Sequence, residues 1–151
     1  MTDTNHDIST LNSLIATTLD SVEGYNEAAK DAKGALTGLF SSRATERREA
    51  ATDLQAEVTR LGGTPSQGGT ALGGAHRVLV NLKSLVTGQD EQAIVNEVER
   101  GEDHIKAKFE NALKDVELSP TVRAAIEKAY GSVRAGHDQM RDLKHKMQAA
   151  N

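Results

Sequence analysis

Apolar residues recur at steps of three and four along most of the chain, which is the spacing of one face of an α-helix. The repeats fall into four long segments separated by glycine or proline. We predict helices over residues 7–33, 36–61, 90–116 and 120–148. The inward residues of the third helix are Ile94, Val98, Ile105, Phe109, Ala112 and Val116. The pattern therefore predicts an all-α protein.

Glycine and proline mark the ends of these helices. Gly34 separates the first two helices, and Gly62 follows the second, where glycine can take the left-handed conformation that ends a helix. Ser119 and Pro120 open the last helix, since serine can cap it and proline at the first helical position costs no backbone hydrogen bond. Because few residues join the first two helices, we expect them to pack antiparallel.

A shorter apolar segment lies between the second and third long helices. Residues 62–69 are rich in Gly, Pro and Ser and indicate a loop, whereas residues 71–87 are apolar around most of a helical circumference. A helix of that length spans about 25 Å, enough to carry the chain back along a bundle. The second and third long helices can then run parallel, as in a ferritin-like four-helix bundle with a crossover helix. The alternative is a five-helix up-and-down array in which this segment is an equal member.

Composition and charge argue against several kinds of protein. The formal net charge is −4 with basic and acidic residues interspersed, which does not indicate a nucleic-acid-binding face. The chain contains no cysteine, so a metal site would need carboxylates and histidine. No apolar run approaches the ~20 residues of a membrane span, and the first residues are polar, unlike a signal peptide. We expect one soluble, cytoplasmic domain over residues 1–151, with residues 1–6 disordered.

Four ionisable residues fall on predicted inward faces. Glu102 lies within the apolar stripe of the third helix, and His137 lies at the edge of the stripe on the fourth. Arg43 and Arg47 fall on the apolar face of the second helix, where arginine is rarely buried without an anionic partner. We therefore predict a buried network in which Glu102 pairs with His137 or with one of the two arginines.

Other polar residues surround this network. On the first helix, Asn26 is predicted to face inward and Glu23 to lie at the flank of the apolar stripe. The polar residues predicted to face outward on the third and fourth helices are Glu99, Asp103, His104 and His145. Glu23, Glu102 and His137 are therefore the candidate metal ligands.

A di-iron centre in a four-helix bundle requires a specific set of ligands. It takes one glutamate from each of two helices and a Glu-x-x-His pair from each of the other two. Arg134 stands three residues before His137, and the second helix has no histidine. The residues therefore favour a structural charge network, and an iron or manganese centre is the alternative.

Four stretches of the chain carry a family pattern. They are LNSLIATTLDSVEGYNEAAKD in the first helix, LQAEVTRLGGTP at the end of the second, ALGGAHRVLVNLKSLVTGQD in the connecting segment and NEVERGEDHIKAKFENAL in the third helix. The ERGED motif at residues 99–103 is distinctive. With these stretches the chain resembles small bacterial proteins of similar length, a domain of unknown function among the ferritin-like four-helix bundles. The resemblance implies a role in bacterial stress physiology, and it places Glu23, Glu102 and His137 at the family's matching polar positions.

These observations lead to one functional expectation and one alternative. We expect a non-catalytic, stress-associated interaction or storage-accessory protein. Its partner would be another protein or a second copy of the chain, without nucleic acid, membrane or cofactor. The alternative is an iron- or manganese-binding protein or oxidase that uses Glu23, Glu102 and His137.

Overall fold

Four long helices make up most of the part of the chain that the structure describes, and the prediction of an all-α fold is confirmed. The computed structural model describes residues 4–68 and 91–150, and these contain no β-strand. The helices are α1 (Thr4–Asp31), α2 (Ala35–Arg60), α3 (Glu91–Leu113) and α4 (Pro120–Ala150). The predicted crossover helix at residues 71–87 lies outside the described residues.

The first helix begins earlier than predicted. Residues 4–6 are helical, so the expectation that residues 1–6 are disordered is wrong for them. The turn between α3 and α4 fixes this end: Asp115 contacts His6 at 2.5 Å, and the Ser119 N–H donates to Asp7 at 3.2 Å. Helical periodicity does not predict contacts between residues so far apart in the sequence. They hold the start of α1 in place.

The two predicted glycine boundaries are correct. Gly34 and Gly62 have φ angles of 62° and 85°, a region that favours glycine. At the end of α2, the Gly63 N–H donates to the Val58 carbonyl at 3.0 Å and the Gly62 N–H to the Thr59 carbonyl at 2.9 Å. This pair of bonds is the Schellman motif, which satisfies carbonyl groups that a helix end would leave unpaired.

The start of α4 differs from the prediction in one detail. Pro120 is the first helical residue, as predicted. The Ser119 hydroxyl, however, is buried without a hydrogen-bond partner among the described residues, so it does not cap the helix. Its backbone N–H is bound by Asp7 instead. A side chain from another helix therefore supplies the polar contact at this end.

The four helices are arranged in a ring. Helix α1 packs against α2 and α3, and α4 packs against the same two helices. Arg60 reaches Thr121 at 3.0 Å and Arg43 reaches Gln139 at 2.6 Å, which makes α2 and α4 antiparallel. The contacts of His6 with Asp115 and of α1 with α2 across their short turn make α1 antiparallel to both α3 and α2. Helices α2 and α3 therefore run parallel.

This set of directions is compatible with a ferritin-like bundle. A five-helix up-and-down array would also place α2 and α3 parallel, so the direction alone does not separate the two arrangements. The four described helices surround the core.

A polar layer divides the apolar core in two. One apolar cluster contains Leu11, Leu14, Ile15, Ala50, Leu54, Val58, Ile105, Phe109, Leu118, Val122, Ile126, Ala129 and Val133. The other contains Tyr25, Ala28, Ala29, Ala32, Phe40, Ala44, Ile94, Val95 and Met140. Arg47 and Glu102 lie between these clusters in sequence position on their helices, and both are buried.

The outer faces of the helices are polar. His104 and His145 are exposed, as predicted. Val116, predicted to face inward, is 89% exposed, because α3 ends at Leu113 and the helical pattern no longer applies there. Among the described helices, none has the length and apolar character to cross a membrane.

Candidate functional site

An ion pair between α2 and α3 forms the centre of the bundle. Arg47 Nη1 donates to Glu102 Oε1 at 2.8 Å, and Nη2 donates to Oε2 at 2.7 Å. The side chains are 1% and 2% exposed, respectively. Two parallel charge-assisted bonds give this pair a fixed geometry as well as energy. The predicted burial of Glu102 and its pairing with an arginine of α2 are confirmed.

Helix α1 completes the surroundings of Arg47. Arg47 Nη1 also donates to Ser21 Oγ at 2.7 Å, and the Tyr25 ring centroid lies 5.5 Å from the guanidinium carbon. Burial opposes the charge of Arg47, but the hydrogen bonds and the charge of Glu102 outweigh it and raise the pKa of Arg47. Burial, followed by the charge of Glu102, raises the pKa of Tyr25. Arg47 therefore stays charged and Tyr25 neutral.

Helix α4 contributes a glycine to the same layer. A Cβ atom at Gly136 would lie 2.5 Å from Arg47 Nη2 and 2.8 Å from Glu102 Oε2. Both distances are shorter than any ordinary contact of a Cβ atom. The absence of a side chain at Gly136 thus allows α4 to pack directly on the ion pair.

Arg43 is not part of this pair. Its Nε donates to Gln139 Oε1 at 2.6 Å, and its Nη1 donates to Glu46 Oε2 at 2.6 Å. It lies one helical turn from Arg47, nearer to the surface. The predicted need for an anionic partner is met by Glu46 on its own helix, and the predicted alternative pairing with Glu102 is wrong.

His137 is buried as predicted, but its partners differ from the prediction. Its Nε2 lies 2.7 Å from Asp103 Oδ1, and its Nδ1 lies 3.2 Å from Asp138 Oδ1. Asp103 was expected to point away from the core. Its carboxylate is indeed more than half exposed, yet it reaches across to the neighbouring helix. Glu102 therefore pairs with Arg47 and not with His137, which belongs to a separate group at the edge of the bundle.

The three predicted metal ligands do not come together. Glu23 is exposed, and so is Asn26, which was predicted to face inward. The inward position between them is taken by Tyr25, which is 2% exposed. Both carboxylate oxygens of Glu102 are bound by Arg47, and the guanidinium charge would repel a cation. These residues do not fit a di-metal centre in the bundle core.

A different group of potential ligands lies at the α3–α4 face. One ligand atom from each of Glu99, Asp103 and His137 lies within 4.8 Å of the others. Lys144 Nζ contacts Glu99 Oε2 at 3.3 Å. The four-residue spacing of Glu99 and Asp103 within the ERGED motif places both carboxylates on one side of α3, a signal that the sequence contained.

A second group of potential metal ligands lies at one end of the bundle. His6, Asp115 and Glu117 also bring ligand atoms within 4.8 Å of one another. The hydrogen bond that His6 donates to the Asp115 carboxylate raises the pKa of His6. The backbone N–H of Glu117 and then His6 lower the pKa of Asp115. This group thus forms an ion pair that ties α1 to the α3–α4 turn.

Comparison with known proteins places the chain in a family. A search of curated proteins finds no match to it. The family model described as "Domain of unknown function (DUF2383)" matches residues 6–115. The matched part spans α1, α2 and α3, and so includes Arg47, Glu102 and the ERGED motif. The chain therefore belongs to this family, the domain of unknown function DUF2383.

Proposed function

We propose that this protein is a non-catalytic interaction or accessory protein built on a helical bundle, and that it carries no ferroxidase centre in its core. The observation that supports the proposal is the pairing of Glu102 with Arg47. An oxidase centre in a four-helix bundle needs inward carboxylates that are free to bridge metal ions. Here the central carboxylate is neutralised by an arginine.

The layout of the core supports the same proposal. In place of metal ligands, the layer between the two apolar clusters contains the Arg47–Glu102 pair. Tyr25 of the second cluster lies against the guanidinium, and Gly136 leaves room for both side chains. A buried ion pair of this kind can specify the register of packed helices. We therefore assign the pair a structural role, and we place the function of the protein on its outer surface.

The surface indicates what kind of contact the proposed partner makes. Val116 is the one large hydrophobic residue exposed among the described residues. The outer face of α2 carries charged residues, among them Glu46, Arg48 and Glu49. A protein partner, or a second copy of the chain, would therefore bind through polar and charged contacts, whose association rate falls as salt screens the charges. An accessory role in bacterial stress physiology is the part of the proposal that rests on the family resemblance, whereas the cytoplasmic location is proposed from the sequence pattern.

The absence of oxidase activity is tested by iron loading. The full chain is loaded with Fe(II) without oxygen, oxygen is then admitted, and absorbance and bound iron are recorded. We expect no rapid oxidation above the rate of a protein-free control. Two irons bound per chain with fast turnover would overturn the proposal and make Glu23, Glu102 and His137 the ligands to re-examine.

The interaction part is tested separately. Sedimentation of the purified chain at low and high salt measures whether a second copy is the partner. Self-association that weakens with salt supports a polar contact between copies. Self-association that strengthens with salt would instead indicate an apolar interface and contradict this part of the proposal.

A further inference from the structure

We infer that Glu99, Asp103 and His137 form a binding site for one first-row divalent cation, with Zn²⁺ the best match, at the α3–α4 face. The ligand atoms of these three residues lie within 4.8 Å of one another. Glu99 and Asp103 are one turn apart on α3, and His137 faces them from α4. The site is separate from the core ion pair and does not depend on the proposed function.

The histidine is held in the orientation that a metal ligand needs. The His137 side chain is 9% exposed, and its Nδ1 lies 3.2 Å from Asp138 Oδ1. When Nδ1–H donates to a carboxylate, Nε2 keeps its lone pair for a metal, the arrangement found behind many histidine ligands. Nε2 points at Asp103 Oδ1, 2.7 Å away. A cation bound between them would take Nε2 as a ligand in place of its present contact with Asp103.

The donor set and the charge select the class of ion. One imidazole nitrogen and two carboxylate oxygens suit borderline divalent ions such as Zn²⁺, whereas Mg²⁺ and Ca²⁺ favour oxygen ligands alone. The two carboxylates together carry the charge that a divalent ion neutralises. Three protein ligands leave a fourth position for water. The Asp103 side chain is 57% exposed, so the ion can enter directly from solvent.

Lys144 would compete with the metal ion for the Glu99 carboxylate. Its ammonium group lies 3.3 Å from Glu99 Oε2, and Glu99 is mostly shielded from solvent. A bound cation must displace Lys144 from Glu99 and would then be repelled by the remaining ammonium charge. Lys144 should therefore limit the affinity of the site for the ion. Substitution of Lys144 should increase binding, whereas substitution of a ligand should weaken it.

The first test is a Zn²⁺ titration of the metal-free full chain by calorimetry, with NMR of the histidine ring nitrogens. We expect Zn²⁺ to shift the Nε2 signal of His137. The Asp103→Asn variant should bind at least tenfold more weakly at this site, and because Asp103 is exposed, this variant should fold. His104→Gln removes an exposed histidine next to Asp103 on α3 and is the matched control, with unchanged binding.

Two further variants distinguish a metal site from an accidental group of charges. Lys144→Gln should bind Zn²⁺ more tightly than the wild type, and Asp138→Asn more weakly by about 10- to 100-fold, the usual effect of losing the carboxylate behind a histidine ligand. The His6→Gln variant removes the histidine of the second ligand group, His6, Asp115 and Glu117. The His137 signal of this variant should still respond to Zn²⁺. An unshifted His137 signal at saturating Zn²⁺, or equal affinity in wild type and Asp103→Asn, would overturn the inference.

Discussion

Arg47 and Glu102, 55 residues apart in the sequence, form a two-bond ion pair that is shielded from solvent on all sides. Moving two charges out of water is costly. The cost to Arg47 is offset by the opposite charge of Glu102, by the two parallel hydrogen bonds, and by its contacts with Ser21 and the face of Tyr25. Such a pair adds little net stability compared with apolar residues of the same size. Its geometry, however, fixes how α2 meets α3 across the bundle.

Removal of one partner of this ion pair should therefore destabilise the protein strongly. We expect Glu102→Ala to lower the free energy of unfolding by about 3–5 kcal/mol, because Arg47 would remain buried without its counter-charge. Urea denaturation followed by circular dichroism measures the change. The control is Glu46→Ala, which breaks the exposed pair with Arg43 and should cost at most about 1 kcal/mol. Equal effects of the two substitutions would show that Glu102 is not held as described.

Removal of both partners should be tolerated better than removal of one. We expect Arg47→Met combined with Glu102→Leu to recover most of the stability lost in Glu102→Ala, since neither buried charge remains. The coupling energy from the double-mutant cycle should be large, as for residues in direct contact. Additive losses from the two single substitutions would contradict the ion pair.

Two glycines on α4 should respond in opposite directions to alanine. Gly136→Ala places a methyl group against Arg47 and Glu102 and should destabilise the protein by about 1–3 kcal/mol, the usual cost of overpacking a core. Gly131 is exposed and has no neighbouring atom within 4 Å of an added Cβ, so Gly131→Ala should stabilise the helix by about 0.5–1 kcal/mol. Thermal unfolding of the two variants compares them directly. A stabilised Gly136→Ala protein would mean that α4 does not pack on the ion pair.

The contact of His6 with Asp115 should make stability depend on pH. The hydrogen bond that His6 donates to Asp115 raises the pKa of His6 above its ordinary value of 6.5. The stability that this contact contributes is therefore fully present below pH 6.5 and is lost as pH rises through the raised pKa. NMR titration of the His6 ring measures the pKa, and denaturation at several pH values measures the stability.

Asp115→Asn is the matched variant for this measurement. It should bring the pKa of His6 down, because the charged acceptor is gone, and it should flatten the fall in stability between pH 6.5 and the wild-type pKa of His6. An unchanged pKa of His6 in this variant would contradict the contact that ties α1 to the α3–α4 turn.

Helical periodicity was enough to predict much of this protein. The spacing of apolar residues predicted four long helices, and glycines at 34 and 62 predicted where α1 gives way to α2 and where α2 ends. The same spacing predicted that Arg47, Glu102 and His137 would be buried. These results follow because the direction of a side chain from its own helix axis depends only on its position in the sequence.

The partners of those side chains were decided by the tertiary structure. Glu102 binds Arg47 and not His137, Asp103 reaches His137 from an exposed position, and Tyr25 replaces Asn26 in the core. Each outcome depends on how far one helix is rotated and shifted against its neighbour, and packing of whole side chains across the interface sets those displacements. The sequence of one helix contains the direction of its own residues, whereas the contact between two helices is determined only when both have packed.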